Sequence, residues 1–190
     1  MKSVLISIQP CWCELIASGK KTLEVRKTRP KLETPFKVYI YCTADTVKHI
    51  VFDEYGDRQI ELVPQRVIGE FTCNQILSIG RRGVNNNFDY CYESLNIFGN
   101  DDIEPYITAI RKSCLGKNEL HEYAKDNPFL YGWHISDLKI YDKPKSLSEF
   151  KQCHKCPYGD YANCQQHEYS CNGDYKLKRP PQSWCYVEEV

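Results

Sequence analysis

No stretch of this 190-residue chain is apolar for the roughly twenty residues that a membrane-spanning helix needs. Net charge is missing too: 25 basic residues balance 25 acidic ones, which removes any global electrostatic case for a polyanionic partner. Met1-Lys2 leads straight into a short apolar strand, without the apolar segment and small-residue cleavage site of a leader. The expectation is a cytoplasmic protein with no membrane contact. A disulfide framework is also not expected, because 11 cysteines is an odd number and a reducing compartment keeps thiols free. Cys11, Cys13, Cys42, Cys73, Cys91, Cys114 and Cys185 are scattered, mostly at apolar positions, and read as small buried hydrophobes.

What is present begins with residues 8–27. Val4 to Ile8 is a β-branched run that ends before Pro10, a residue suited to the first position of a helix because its missing N–H would have no partner there. Trp12, Leu15 and Ile16 then share a helical face. Gly19 suits the left-handed residue that stops a helix. After it, Leu23 and Val25 alternate with Thr22, Glu24 and Arg26, as in a half-buried strand. Two lysines at the helix exit, then a carboxylate and a guanidinium on one strand face, make a compact polar site beside apolar side chains. Local charge is uneven: Lys20, Lys21, Arg26, Lys27, Arg29, Lys31 and Lys37 face only Glu24 and Glu33 across the same stretch. A second basic run is Lys176-Leu177-Lys178-Arg179. Basic clusters that converge on one face contact phosphates.

The spacing Gly19-x-Lys21-x-x-Glu24-x-Arg26, in its strand–Pro–helix–Gly–strand setting, resembles the G-x-K-x-x-E-x-R signature of the ASCH domain family, PUA-like proteins associated with RNA. The resemblance runs over residues 2–145, loosening after the first forty. It implies an α+β fold: a PUA-like small mixed β-barrel flanked by short helices. The barrel domain would occupy 1–150, a Cys-rich metal-stapled loop 151–175, and a strand returning to the barrel 176–190.

Further along, Lys37 to Thr43 is rich in strand formers. Residues 44–61 show no clear period and read as an inserted loop with a helical turn. Arg66 to Ile76 reads as a long strand in which Gly69 marks a bulge or a close backbone approach. Residues 80–100 do not fix a register, and 102–111 suits a helix. Asn118 to Lys125 is a better helix with Asn118 as its cap. Phe129 to Ile135 alternates as a strand, and Leu138 and Ile140 continue on the opposite parity, so a bulge is expected near Ser136-Asp137. Gly132-Trp133-His134-Ile135-Ser136 resembles the closing strands of ASCH barrels. His134, on the face opposite Trp133, reads as structural.

Three functions are compatible with these residues. The first is binding of RNA or a modified nucleotide at Lys20, Lys21, Glu24, Arg26 and Lys27. There Arg26 meets a phosphate with two bonds, the lysines act as point charges, and Glu24 accepts from a base's amine. Trp12 suits a stacking platform less well than a core position. The second is a hydrolase, with Lys21 and Glu24 as candidate catalytic residues. Some bacterial ASCH proteins resemble amidohydrolases that deacetylate acetylated cytidine with a lysine, a threonine and a glutamate. Lys21 matches the lysine, but Glu24 stands at the threonine position, and a carboxylate does not replace a hydroxyl nucleophile. Thr22 falls two residues early, and the glutamate has no counterpart near Lys112 and Ser113. A ribonuclease using Lys21 or Glu24 as acid or base is the other form of this reading. No catalytic set is complete, so binding is preferred. The third is a protein–protein adaptor built on the cysteine-rich loop and its tyrosines.

That loop carries Cys153-His154-Lys155-Cys156, then Cys164 and Cys171. A Cys-x2-Cys knuckle and a looser pair close a tetrahedron around Zn(II), with His154 and His167 as substitutes for one thiolate. Four protein ligands leave no open position, so this zinc is structural. The segment has almost no aliphatic content, and metal binding there supplies on the order of ten kcal/mol toward ordering it. Protein purified without added metal should therefore contain one zinc per chain by elemental analysis. Cys156→Ser should lose the metal and loosen this loop while the rest still unfolds cooperatively; metal-free folded wild type would refute the assignment.

Overall fold

The computed structural model describes residues 2–45, 49–52, 56, 59–80, 82–84, 87–89, 111–152 and 176–189. The four zinc candidates, with His154, His167 and Cys91, lie outside them, as do residues 102–110 of the helix expected at 102–111; residues 111–113 are helical. Among the described residues no helix is long and apolar enough to cross a membrane.

The first strand, β1 (Ser3–Ile8), is buried along its whole length, as its unbroken apolar run requires. Helix α1 (Pro10–Ala17) follows with Pro10 at its first position, and Gly19 closes it at φ 72°. Its buried side carries Cys13, Ile16 and Ala17, while Trp12 and Leu15 are only half-buried, so the core-facing stripe is turned from the one expected. Then come β2 (Leu23–Arg26) and β3 (Phe36–Cys42). β1 and β3 pair in parallel, joined by the crossover through α1 and β2.

Residues 44–61 are not merely a loop. They hold a hairpin of β4 (His49–Phe52) and β5 (Gln59–Leu62). Ile60 and Leu62 face the core, whereas Ile50 and Phe52 face outward. Four-residue strands are too short to show a period, and packing against α1 is what selects this one. His49 is the clamp: its Nδ1 meets Glu14 Oε1 on α1, and its Nε2 lies 2.7 Å from Asp45 Oδ2.

β6 (Arg66–Cys73) pairs with β3 and continues, after a break at residues 74–75, as β7 (Ile76–Gly80). A short hairpin, β8 (Arg82–Val84) and β9 (Asn87–Asp89), follows. Helix α2 (Lys117–Ala124) is capped at Gly116, not Asn118; the Glu119 carboxylate accepts from the Gly116 N–H at 2.7 Å. β10 (Phe129–His134) runs on past Ile135 as β11 (Ser136–Lys145). β12 (Phe150–Gln152) and β13 (Trp184–Glu189) complete the sheet at the far edge.

The result is a six-stranded sheet, β11-β6-β3-β1-β13-β12, and a three-stranded one, β2-β10-β7. The expected closed barrel is absent among the described residues. β11 and β12 are the two edges of the larger sheet, yet only a capped 3-10 turn at Leu147–Glu149 separates them in sequence. Six flat strands would span about 24 Å, and the five steps from Lys145 to Phe150 reach at most about 18 Å, so the sheet must curl. One face of the sheet holds the junction of the 3-10 turn with β12. There Leu147 and Phe150 pack on Leu5, Tyr39 and Val67. The opposite face packs Ile6, Ile40 and Phe71 against Cys13, Ile16 and Trp133.

Two strands pass from one sheet to the other, and the corners are tied by His134 N to Gln75 O at 3.0 Å and Ile135 N to Thr22 O at 2.9 Å. The expected bulge is present: the β11 register shifts between Ser136 and Lys139, with Asp137 at φ 49°. Gly69 is both bulge-adjacent and a close approach, since a Cβ there would lie 2.5 Å from the Lys139 carbonyl oxygen. Of the scattered cysteines, Cys13, Cys42 and Cys73 are buried as expected, Cys114 and Cys185 are half-buried, and Cys11 is exposed. The two ends of the cysteine-rich segment meet, because Leu177 N donates to Phe150 O at 2.8 Å and Lys151 bridges to Lys176.

Two predictions follow from these joints. Gly69→Ala should cost about 1–3 kcal/mol in chemical denaturation, because backbone, not a flexible side chain, meets the new methyl; an unchanged midpoint would show that the strands part freely. Hydrogen bonding to Glu14, then to Asp45, raises the His49 pKa above its usual value. A raised folded-state pKa stabilises fully below about pH 6.5 and is lost as pH rises through it. Amide exchange in β4 and β5 should therefore speed up as pH rises beyond what base catalysis explains, with β1 and β3 unaffected. His49→Gln should remove that extra dependence.

Candidate functional site

β2 is one edge of the three-stranded sheet, and its parity places Glu24 and Arg26 on the face that looks toward β1. Glu24 stands opposite Trp133 in the ladder and Arg26 opposite Tyr131. Val25 faces the other way, into an apolar cluster with Ile79, Leu130 and the α2 residues Leu120 and Ala124. Lys21 precedes the strand. The turn at Gly19 brings its N–H back to Leu15 O at 2.8 Å, and its side chain folds into the same space as the two strand residues.

The three charges form a buried row. Lys21 Nζ is 3.4 Å from Glu24 Oε2, and Arg26 Nε is 3.0 Å from Glu24 Oε1. Exposures are 2% for Lys21, 6% for Glu24 and 9% for Arg26. Main-chain carbonyls hold the outer ends: Lys21 Nζ donates to Ser113 O at 2.6 Å, and Arg26 donates to Ser7 O at 2.7 Å. The ion pairs are close but not aligned as hydrogen bonds, so Glu24 Oε2 and Arg26 Nε have no hydrogen-bond partner among the described residues. Both atoms are fully buried, so the charges of the ion pairs, not hydrogen bonds, compensate them.

Glu24 and Arg26 line a cavity of about 770 Å³ at the mouth between the sheets. Trp12 and Tyr123 supply aromatic walls, and Gln9, Thr43, Gln182 and Ser183 supply neutral polar groups. Lys21 Nζ sits 5.0 Å from the Trp12 ring centre, and Lys27 Nζ sits 5.2 Å from that of Tyr123. Burial pushes the Tyr123 hydroxyl pKa up, and Arg26 draws it partly back. Lys21, Arg26 and Lys27 are matched by Glu24, Glu119 and Glu122, so the lining is charge-balanced, not electropositive as the basic sequence run suggests.

The structure thus brings together Lys21, Glu24, Arg26 and Lys27. It does not bring Lys20, which borders a separate cleft with Glu14, Leu15 and Phe52. Trp12 is half-buried, touching the core and the cavity both. Thr22 lies outside the cavity, its main chain tied to Lys112 and Ile135. His134 is away from it too, its Nδ1 buried without a partner among the described residues and its pKa lowered by burial. The Ser7 and Ser113 carbonyls carry no residue-type signal and were invisible in sequence. Tyr123 had one: Glu119, Glu122 and Tyr123 share a helical face beside that of Leu120 and Ala124, against which Tyr123 packs.

No family model matches the chain, and no curated protein matches it. Solved structures do. The crystal structure of ASCH from Zymomonas mobilis aligns with TM-score 0.55 at 18% identity, covering 98% of this chain and 87% of that one. A tyrosine-to-phenylalanine mutant of the same protein gives 0.55 at 18% over 99% and 91%. A serine-to-alanine mutant gives 0.54 at 18% over 98% and 88%.

The row makes a stability prediction. Glu24→Gln leaves two buried cations without a counter-charge and should cost about 3–5 kcal/mol. Lys21→Met should cost less, because Glu24 keeps Arg26. Denaturant titration of both variants checks the order, and the reverse order would show that the row is not held by its central carboxylate. The chain has the fold of ASCH proteins.

Proposed function

We infer that this chain binds RNA, taking a nucleotide into the cavity at the open end of its two sheets. The observation that carries the reading is the buried Lys21–Glu24–Arg26 row, whose side chains line a cavity walled by Trp12 and Tyr123. A base between Trp12 and Tyr123 gains stacking contact. Its amine donates to the Glu24 carboxylate and its ring or carbonyl acceptor meets Arg26. Lys27 at the rim is the point charge for the attached phosphate. The balanced lining favours the neutral base inside and the anionic backbone outside. The likeness in fold to ASCH proteins, with the family's association with RNA, agrees with this reading.

The test is direct titration with nucleosides and short single-stranded RNA. Arg26→Lys keeps the charge but loses the fork, and should weaken nucleoside binding about tenfold or more. Lys20→Ala, on the separate cleft, should bind as wild type. Circular dichroism and the unfolding midpoint establish that each variant is folded. Equal binding by folded Arg26→Lys and wild type would make the row a structural device only. Shortened RNA recovered after incubation would instead support the hydrolytic reading.

A further inference from the structure

Beyond the cavity rim, the chain alternates from Arg29 to Glu33 without being a strand. Thr28 is held by the Trp184 indole N–H at 2.9 Å, Pro30 is buried, and Leu32 packs against the core. The odd positions Arg29, Lys31 and Glu33 face outward and are exposed. Arg29 sits 5.6 Å from the centre of the Tyr131 ring. The Lys31 N–H donates to the Tyr186 hydroxyl at 2.7 Å, and Lys2 Nζ lies 4.3 Å over that same ring. These contacts link into one belt: Lys27 at the cavity, Arg29 on Tyr131, Lys31 beside Tyr186, and Lys2 on its face. On the same strand face as Tyr131, Phe129 is 46% exposed.

The same molecule shows what a purely structural cation–tyrosine pair looks like. Lys37 lies 5.5 Å from the Tyr39 ring centre and Lys145 lies 5.0 Å from that of Tyr141, but Lys37 is paired with Glu70 and Lys145 with Glu189. In the belt, no described carboxylate pairs with Lys2, Lys27, Arg29 or Lys31. Three cations, Lys2, Lys27 and Arg29, are thus positioned by aromatic rings, Lys31 is placed by its main chain, and none of the four is paired with a described carboxylate.

We propose that this belt is a track for single-stranded nucleic acid, leading its backbone across the 27–33 segment away from the cavity. The cations meet successive phosphates. Phe129 and the Arg29 plane on Tyr131 offer flat surfaces to unstacked bases, the combination by which single strands are held without sequence preference. The proposal rests on the reading that this chain meets RNA, but its test uses residues outside the cavity.

The experiment is fluorescence anisotropy of the full chain with a labelled single-stranded oligonucleotide at about 50 and about 200 mM salt. The double variant Arg29→Gln/Lys31→Gln should bind more weakly, and its log affinity against log salt should be shallower by about 1.4, two phosphate contacts' worth for a single strand. The control double Lys37→Gln/Lys145→Gln, which removes the same charge from the paired tyrosines, should keep the wild-type slope. Glu33→Lys, which removes the belt's acid, should tighten binding and steepen the slope, and this gain is readable even if the first double fails to fold. Nucleoside titration of the first double should match wild type, so a failed cavity and a failed belt give different results. A slope shared by wild type and the first double, equal losses in both doubles, or displacement by polyglutamate as effective as by unlabelled strand would each overturn the proposal, the last in favour of an acidic protein partner.

Discussion

The interaction on which this structure depends is a carboxylate buried between two cations. A glutamate withdrawn from water to 6% exposure carries a desolvation cost of several kcal/mol. Lys21 and Arg26 offset it only because the backbone delivers both to within reach. Lys21 arrives from the helix exit, where Gly19 at φ 72° reverses the chain, and Arg26 arrives by strand parity, two residues beyond Glu24. Their outer ends would be costly in turn, and carbonyls of Ser113 and Ser7 take them up. One row of charges thus binds α1, β1, β2 and the 111–116 segment together. It remains one positive charge in excess, and its three side chains line the cavity.

That cavity exists because the sheets diverge. β10 and β11 are one run of chain bent at Ile135, and β6 and β7 are another bent at residues 74–75, so the small sheet is hinged to the large one along two adjacent corners. β2, farther from those corners at the small sheet's edge, is where the gap to β1 widens. Strand switching through bends and bulges builds the corner, and Gly69 lets the strands of the larger sheet approach beside it. A fully closed barrel would have drawn β2 and β1 together and left Glu24 no space to face.

Much of this was legible in residues 3–26, where every local signal agreed: an apolar run, proline at a helix start, glycine at its end, then alternation. The bulges at Gly69 and Asp137 were legible for the same reason, since a glycine in a strand and a change of parity each have one cheap structural explanation. The β4–β5 hairpin was not, because its strands are four residues long and its order comes from His49 gripping Glu14 across the fold. The failure to close was also hidden. It depends on which strands pair and how the sheet curls, and strand propensity along a sequence sets neither. At the site, side-chain partners were readable as charge and parity, but carbonyl partners were not, since every residue has one. Lys20 and Lys21 are indistinguishable in composition, and only the path of the turn decides that they face different clefts.

The two groups of cations differ in what water allows them to do. Lys21 and Arg26 are out of reach of bulk ions, so whatever they hold is held with direction and with little sensitivity to salt. Arg29, Lys31 and Lys2 stand at the surface, where a Debye length of about 8 Å at physiological ionic strength screens all but close contacts. Charges of that second kind attract a chain of phosphates without reading it. A site that combined both kinds in one pocket would lose selectivity, because phosphates would compete with a base for the same donors. On the proposed reading the balanced cavity would prevent that: Glu24, Glu119 and Glu122 would repel phosphates from the interior, while Lys27 at the rim would lead them to the belt. Separation of a neutral recess from a basic path is what a single-stranded ligand with uncharged bases and charged linkages requires.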